Sequence, residues 1–331
     1  INQPEVASKD WVIRQYDHEV RGKTTLKPIQ GPIGKEVPGD SSVIKPIDDS
    51  WKGLALTSDI NPYLMEANPY HGTMSAVEEV CRNLASVGAR IDSLADCLCF
   101  GNPQRPEIMG QFKASCEALR DAATSVDVPY VSGNVSLYNE TQEGAIPPTP
   151  VLMGIGLVND IRKCVTSDMK SEGSIWLVGQ TKEEMGASLY YRTLGIECPK
   201  VPVTNFRTFL PRMEQLIQAI ENEEVVACHD ISNGGLALSI IEMCMSGFGA
   251  EITFDGKLRT DVELFSESNG RWIVQVAPEY EDAFSKRFDF AKKIGNINEK
   301  IIFKNGSEKL VELTIEEVRN KWIKPIWDRL A

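Results

Sequence analysis

The sequence predicts an α+β protein made of two consecutive domains. Its 331 residues are many for one hydrophobic core and enough for two. Helical patterns and strand-like runs follow one another irregularly, in one unit before a polar stretch at 160–172 and in a second unit after it. We therefore expect a mixed sheet domain with flanking helices at 41–165 and a second α/β domain at 166–331, rather than one doubly wound sheet.

The first 40 residues predict a linker or the tail of a preceding domain. Four prolines and four glycines interrupt residues 1–40, and only the run at 11–16 is typical of a strand. The chain begins with Ile1 instead of methionine, so we expect it to be part of a longer protein or a processed product.

Two amphipathic helices are predicted in the first domain, at 70–87 and about 106–124. In the first of them, apolar residues recur at three- and four-residue steps, while Glu78 and Arg82 fall on the other face. The predicted strands of this domain are 43–44, 54–60, 89–98, 126–131 and 151–158.

The second domain repeats the mixture of strands and helices. Pro211 is suited to the first turn of a helix that runs to about Ile220. The further predicted helices are about 234–246, 278–288 and 314–329. The predicted strands are 175–178, 225–228, 249–254, 262–266, 271–277 and two more before the last helix.

The segment Ser132-Gly133-Asn134-Val135-Ser136 follows the apolar run at 126–131, which is interpreted as a buried strand. Phosphates and metal ions bind at the carboxyl ends of strands in α/β sheets. Glycine lets the backbone approach a ligand closely, and Asn134 offers the hard oxygen that Mg²⁺ prefers. An Asx turn that closes a surface loop is the alternative for this segment taken alone.

A second segment, Asp96 to Pro103, also ends an apolar run and contains a carboxylate, a glycine and an asparagine. Two such ends in neighbouring strands would converge on one metal–phosphate site, formed by Asp96 and by residues 133–136.

Other polar clusters have simpler explanations. Ser232 or Asn233 can cap the helix that follows, whose free N–H groups could also bind an anion. Ser266-Glu267-Ser268 is as compatible with a solvated turn as with a ligand site. Glu66 and Asn68 could reach a metal, although helix capping explains them more simply.

His18, His71 and His229 show no catalytic or metal-ligand spacing, and structural roles are expected for them.

Composition excludes several classes of function. The formal charge of −12 argues against nucleic acid or an anionic membrane as the main partner, and no apolar run is long enough to span a membrane. The eight cysteines lack a CxxC pair, so reduced, mostly buried thiols in a cytoplasmic protein are expected, and not a zinc site. Walker-A, GxGxxG and GxSxG motifs are absent.

Taken together, these segments resemble the phosphoribosylformylglycinamidine synthase family, ATP-dependent amidotransferases of purine biosynthesis. The resemblance covers nearly the whole chain. It rests on Asn68 to Gly72, Arg82 to Ala89, Asp96 to Pro103, residues 132–140, His229 to Leu236 and Leu264 to Ser268.

The resemblance implies an AIR synthase-like pair of domains that binds ATP without a P-loop. Enzymes of this family contain two such pairs in tandem, and this chain resembles the second. It therefore implies that Asp96 and Gly133 contact ATP, that Asn134 ligates Mg²⁺, and that Ser136 contacts the ribonucleotide substrate. No catalytic residue is assigned, since the family's catalytic histidines belong to the first pair. Cys99 departs from the more usual asparagine.

The implied reaction converts formylglycinamide ribonucleotide into formylglycinamidine ribonucleotide. ATP phosphorylates the amide oxygen of the substrate, and ammonia derived from glutamine then displaces phosphate. The implied partners are the N-terminal half of the same synthase, a glutaminase subunit and a small accessory subunit, in the cytoplasm. The isolated chain is expected to be inactive.

Two alternatives remain open. The chain could be an independent ATP-dependent enzyme of the aminoimidazole ribonucleotide synthetase or selenophosphate synthetase type. It could also be a non-catalytic half that binds nucleotide only to hold the fold.

Overall fold

Two mixed β-sheets, each with its own helices, organise the computed structural model, which describes residues 1–288 and 290–330. The predicted α+β class is confirmed. No helix in the described part of the chain combines the length and the apolar character needed to cross a bilayer.

The first sheet has six strands. They are β1 (Thr24–Leu26), β4 (Ser42–Ile44), β5 (Gly53–Asp59), β6 (Arg90–Cys99), β7 (Tyr130–Ser136) and β10 (Thr149–Val158). Their spatial order is β1-β4-β5-β10-β6-β7, and β6 with β7 is the parallel pair. Two short hairpins consist of β2 (Ile29–Gln30) with β3 (Val37–Pro38) and β8 (Glu140–Thr141) with β9 (Gly144–Ala145).

Helices cover one face of this sheet and leave the other face open. The helices of this part are α1 (Asp10–Ile13), α2 (Pro62–Ala67), α3 (Pro69–Ser86) and α4 (Pro106–Val126). Alternate residues of β10 show the difference between the faces: Leu152 is fully buried beneath the helices, whereas Met153 is 37% exposed and Leu157 49% exposed on the other side. The uncovered face is therefore apolar.

The second sheet is covered on both faces. Its strands are β11 (Ser174–Val178), β12 (Val225–Asp230), β13 (Gly249–Phe254), β14 (Trp272–Val276), β15 (Ala291–Asn298), β16 (Ile301–Asn305) and β17 (Glu308–Leu313), in the spatial order β12-β14-β11-β15-β13-β16-β17. Its helices are α5 (Leu189–Thr193), α6 (Phe206–Glu221), α7 (Gly235–Cys244), α8 (Thr260–Phe265), α9 (Glu281–Arg287) and α10 (Ile315–Leu330).

Strand β11 shows how both faces are buried. Trp176 and Val178 pack into the core that contains α3 and α6, while Ile175 and Leu177 pack into the core that contains α7 and α10. A strand buried on both sides has a continuous apolar sequence instead of an alternating one. Because α3 belongs to the first domain, it joins the cores of the two domains.

Two predicted strands are helices instead. The run at 11–16 begins within α1, and the run at 262–266 falls in α8, which carries Asp261 and Glu263 in its first turn. Apolar runs of five or six residues do not separate a strand from a helical turn. Acidic residues in a first turn favour a helix, since they interact with its positive end.

Two boundaries differ from their predicted positions. Helix α4 continues to Val126 and ends at Asp127, which has a left-handed φ of 59°, so β7 begins later than predicted and extends through Ser136. Helix α6 begins at Phe206, and Pro211 therefore lies inside it rather than in its first turn. The C-terminal part also has three strands between α9 and α10 instead of two.

Candidate functional site

Asp96 and Gly133 face each other across the parallel strands β6 and β7. The register pairs Asp96 with Gly133, Cys97 with Asn134 and Cys99 with Ser136. Helix α4 connects the two strands, so they leave the sheet in the same direction. The two predicted segments are thus neighbours in space.

The close approach of Asp96 requires a glycine at position 133. A Cβ atom on Gly133 would lie 2.7 Å from Oδ2 and 2.8 Å from Oδ1 of Asp96. A side chain at this position would therefore push the carboxylate aside. Burial raises the pKa of Asp96, because a partly enclosed carboxylate loses hydration.

Asn134 and Ser136 share one face of β7, since alternate residues of a strand point to the same side. Asn134 is exposed, and Ser136 is partly buried. The Ser136 hydroxyl donates a hydrogen bond of 3.2 Å to Oδ1 of Asn139, whose own amide donates to the carbonyl oxygens of Phe100 and Ser136. Ser136 is held in place, whereas Asn134 faces solvent.

The segment at 132–136 is not a turn beyond the end of a strand. It belongs to β7, and pairing continues past Ser136, where the Phe100 N–H donates to its carbonyl oxygen at 3.0 Å. Farther on, the Asn102 N–H donates to Oε1 of Glu140 at 2.9 Å. The prediction of a buried strand that ends at residue 131 is therefore wrong, and so is the Asx-turn alternative. Because β7 is the last strand of its sheet, its residues 131–135 are exposed at the edge.

The turn before α7 binds a carboxyl group of the protein itself, that of Glu267. Helix α7 has Gly234 as its N-cap, at φ 78°, and neither predicted side chain caps it. Oε1 of Glu267 accepts hydrogen bonds from the N–H groups of Gly234 at 2.7 Å and of Leu189 at 2.9 Å. Burial raises the pKa of Glu267 to about 7. Glu267 therefore occupies the position at which an external anion was considered.

The hydroxyl groups beside Glu267 hold a neighbouring loop. Ser266 and Ser268 are fully buried. Both hydroxyls donate to the carbonyl oxygen of Lys182, at 2.7 and 3.1 Å, and Oγ of Ser268 accepts from the Lys182 N–H. A solvated turn is therefore the wrong interpretation of this segment.

A buried charge network lies between the domains, and sequence reasoning missed it. Arg82 pairs with the fully buried Glu78, with Glu79 at 3.3 Å and with Asp230 of the second domain at 3.1 Å. Burial raises the pKa of Glu78 to about 7 and that of Asp59 to about 6, where the charge of Asp230 adds to the effect. The predicted polar face of α3 is thus buried against the second domain. The i,i+4 spacing of Glu78 and Arg82 was the available signal.

A second interdomain contact involves His229. Its Nδ1 lies 2.6 Å from Oδ1 of Asp40, and its Nε2 lies 3.2 Å from Oε2 of Glu242. Burial alone would lower the pKa of His229, but the charge of Asp40 and the hydrogen bonds to Asp40 and Glu242 raise it well above its usual value. This arrangement gives His229 a structural role. Asn68 is likewise structural, because its side chain caps α3 by accepting from the His71 N–H at 2.9 Å.

Models of two protein domains match the chain. "AIR synthase related protein, N-terminal domain" matches residues 38–158, and "AIR synthase related protein, C-terminal domain" matches residues 170–302.

Curated relatives are named phosphoribosylformylglycinamidine synthase subunit PurL. The one from Thermococcus sibiricus is 40% identical over 327 residues, which cover 96% of this chain and 44% of the relative. The one from Methanothrix thermoacetophila is 37% identical over 337 residues, which cover 96% of this chain and 43% of the relative. The chain thus spans less than half the length of these relatives.

The fold is also found in solved structures. A structure described as T. maritima PurL complexed with FGAR has a TM-score of 0.73 over 85% of this chain and 48% of that chain, at 17% identity. The expected AIR synthase-like pair of domains is confirmed by this likeness and by the two domain models. The chain belongs to the AIR synthase related protein family.

Proposed function

We propose that this chain is the C-terminal half of a phosphoribosylformylglycinamidine synthase. The observation that carries the proposal is the match of nearly the whole chain to less than half of each curated relative. The reaction would be the ATP-dependent conversion of formylglycinamide ribonucleotide into formylglycinamidine ribonucleotide, in the cytoplasm, with ammonia derived from glutamine.

The nucleotide site of this half would lie at the β6–β7 edge. Asp96 and Gly133 would contact ATP, and Gly133 is exposed on β7 at the edge of the sheet. Asn134 would ligate Mg²⁺, and Ser136 would contact the ribonucleotide substrate. The exposed amide of Asn134 provides a hard oxygen, which fits Mg²⁺.

These residues would act by positioning and charge stabilisation. Phosphoryl transfer is accelerated mainly when the reacting groups are aligned and their negative charge is neutralised. Bound Mg²⁺ would neutralise phosphate charge. Ser136, held by its hydrogen bond to Asn139, would orient the substrate. Ammonia would come from a glutaminase subunit, and a small accessory subunit is also expected.

The uncovered face of the first sheet supports a partner for this half. Leu54 pairs with Leu157, and Leu56 pairs with Ile155, across β5 and β10. Met153 lies on the same face of β10. An apolar sheet face is stable when another layer covers it. The N-terminal half of the same synthase is the proposed cover. Edge strand β7 lies beside this face, so the covering layer would also close the nucleotide site.

The domain limits are part of the proposal. Residues 41–165 and 166–331 would form the two domains, and residues 1–40 would be the tail of a preceding domain. The Trp322 indole donates to the carbonyl oxygen of Val6 at 2.8 Å, and Oε1 of Gln30 accepts from the Ser167 N–H at 3.0 Å. The first 40 residues thus pack on the second domain, as a tail between two units could.

Reconstitution tests the function. The chain would be mixed with the separately expressed N-terminal half of the Thermococcus relative and assayed with ATP, Mg²⁺, ammonia and formylglycinamide ribonucleotide. We expect turnover from the mixture and none from either half alone. Turnover by this chain alone would favour an independent enzyme.

Calorimetry of ATP–Mg²⁺ binding tests the site. We expect the chain to bind and Asn134→Ala to bind at least about tenfold more weakly. Asn320→Ala, at an exposed position of α10, is the matched control and should bind as the unaltered chain does. Equal binding by Asn134→Ala would remove Asn134 from the site. Absence of binding by all three proteins would favour the purely structural alternative.

A further inference from the structure

Two cysteine side chains lie next to each other on the open face of the first sheet. Cys97 and Cys99 are two residues apart in β6, so their side chains leave the strand on the same side. Their Sγ atoms are 3.7 Å apart, and both residues are partly exposed free thiols. Within residues 1–288 and 290–330, this is the one pair of cysteines in contact.

The spacing of the two sulfur atoms suits a metal ion better than a disulfide. Alternate residues of a strand are about 6.6 Å apart, and their Cβ atoms are similarly separated, whereas a disulfide needs Cβ atoms about 3.8 Å apart. Two thiolates bound tetrahedrally to zinc at about 2.3 Å have their sulfur atoms about 3.8 Å apart. The observed distance of 3.7 Å is close to that value.

Oxygen donors lie at the same level on the neighbouring strand. Asn134 is paired with Cys97 and Ser136 with Cys99, on strands about 4.8 Å apart. Side chains at paired positions point to the same face, so amide and hydroxyl oxygens stand beside the two sulfur atoms. Water or these oxygens can fill the positions that two thiolates leave free.

We propose that Cys97 and Cys99 form a two-thiolate site for a soft divalent metal ion of the zinc and cadmium class. Thiolate ligands select such ions over Mg²⁺. The cysteines are less buried than the sequence suggested, since only Cys81, Cys228 and Cys244 are buried. Because a metal ion binds thiolates, two thiol protons are released as the two metal–sulfur bonds form.

Titration of the reduced 331-residue chain with Cd²⁺ tests the site. The thiolate-to-cadmium charge-transfer absorbance should rise until one equivalent has bound. Cys97→Ser/Cys99→Ser should lose this band. The matched control is Cys116→Ser/Cys198→Ser, which removes two partly buried thiols that are not in contact, and it should keep the band. An identical titration of the chain and the Cys97→Ser/Cys99→Ser variant, or no band in either, would overturn the proposal.

A second measurement covers the case in which the double variant does not fold. Phenylarsine oxide condenses with two adjacent thiols, forming two arsenic–sulfur bonds and releasing its oxygen as water. One equivalent should therefore remove two thiols from those that react with a thiol reagent in the unaltered chain. The single variants Cys97→Ala and Cys99→Ala should each abolish that protection. Unchanged thiol counts in the treated chain would contradict the site.

One consequence rests on the proposed function. Because Asn134 stands beside Cys97, Cd²⁺ at the thiolates should weaken ATP–Mg²⁺ binding at least about tenfold in the unaltered chain and leave the double cysteine variant unaffected. If the chain binds no ATP, the proposed function fails while the cadmium titration still decides the metal site.

Discussion

His229 and Asp40 are joined across the boundary between the two sheets, with Nδ1 of the imidazole 2.6 Å from Oδ1 of the carboxylate. Asp40 lies two residues before the first-sheet strand β4, and His229 lies in β12 of the second sheet. The other carboxylate oxygen of Asp40 accepts from the Asp230 N–H at 3.0 Å. The carboxylate of Asp40 thereby binds two successive residues of the second domain, His229 and Asp230.

Replacement of His229 by glutamine should destabilise the chain in a pH-dependent way. The pKa of His229 is raised in the folded state, so its contribution is fully present below the unfolded pKa of about 6.5 and is lost as the pH rises through the folded value. We expect the free energy of unfolding to fall by about 3 kcal/mol near neutral pH and this decrease to become smaller at alkaline pH. Urea unfolding at several pH values measures the decrease. His71→Gln, at a partly exposed helix start, is the matched control and should change the free energy of unfolding little.

Arg82→Met should be among the most damaging single changes. Arg82 is 1% exposed, and its loss would leave Glu78 and Asp230 without their cation. The expected decrease in the free energy of unfolding is about 3–5 kcal/mol, measured by denaturant titration.

The matched control for this change is Lys113→Met. Lys113 forms an exposed pair with Glu117 at 3.8 Å, and its loss should cost less than about 1 kcal/mol. A similar loss in both variants would mean that the buried network contributes little. The double variant Glu78→Gln/Arg82→Met should recover part of the stability, because one uncompensated charge is removed.

Gly133→Ala should weaken nucleotide binding more than it affects folding. The added Cβ would lie 2.7 Å from the Asp96 carboxylate, and this partly exposed side chain can turn away. We expect ATP–Mg²⁺ affinity to fall at least about tenfold, with a stability change below about 1 kcal/mol. Gly110→Ala has no atom within 4 Å of the added Cβ, so its affinity should be unchanged. Unaltered affinity in Gly133→Ala would place the nucleotide elsewhere.

Leu157→Glu should abolish assembly with the N-terminal half and leave the isolated chain folded. Leu157 is 49% exposed on the open face of the first sheet, so the change should alter stability by about 0.5 kcal/mol or less. A buried glutamate in the assembled interface would be costly. Size-exclusion chromatography of the mixed halves measures assembly. Leu194→Glu, at a similarly exposed position of the second domain, should assemble normally. Assembly by Leu157→Glu would exclude this face as the interface.

Regular local patterns predicted much of the fold. The apolar stripe that includes Val77 and Cys81 predicted α3 to within a residue of its observed ends. The short runs at 11–16 and 262–266 were misassigned, because a few apolar residues fit a helical turn as well as a strand. Burial of Glu78 and Arg82 could not be predicted from α3 alone, since the layer that covers them is formed by residues more than one hundred positions away.

The amino-acid sequence alone determined the two-domain α+β class and the polar segments at Asp96 and Gly133, because helix periodicity and glycine-containing motifs are local properties of a chain. Tertiary structure decided that these segments are paired inside neighbouring strands, that Arg82 is buried between domains, and that Cys97 and Cys99 share an open face. Sheet order and domain packing depend on contacts between residues far apart in sequence, and single-strand patterns do not specify which strand becomes an edge.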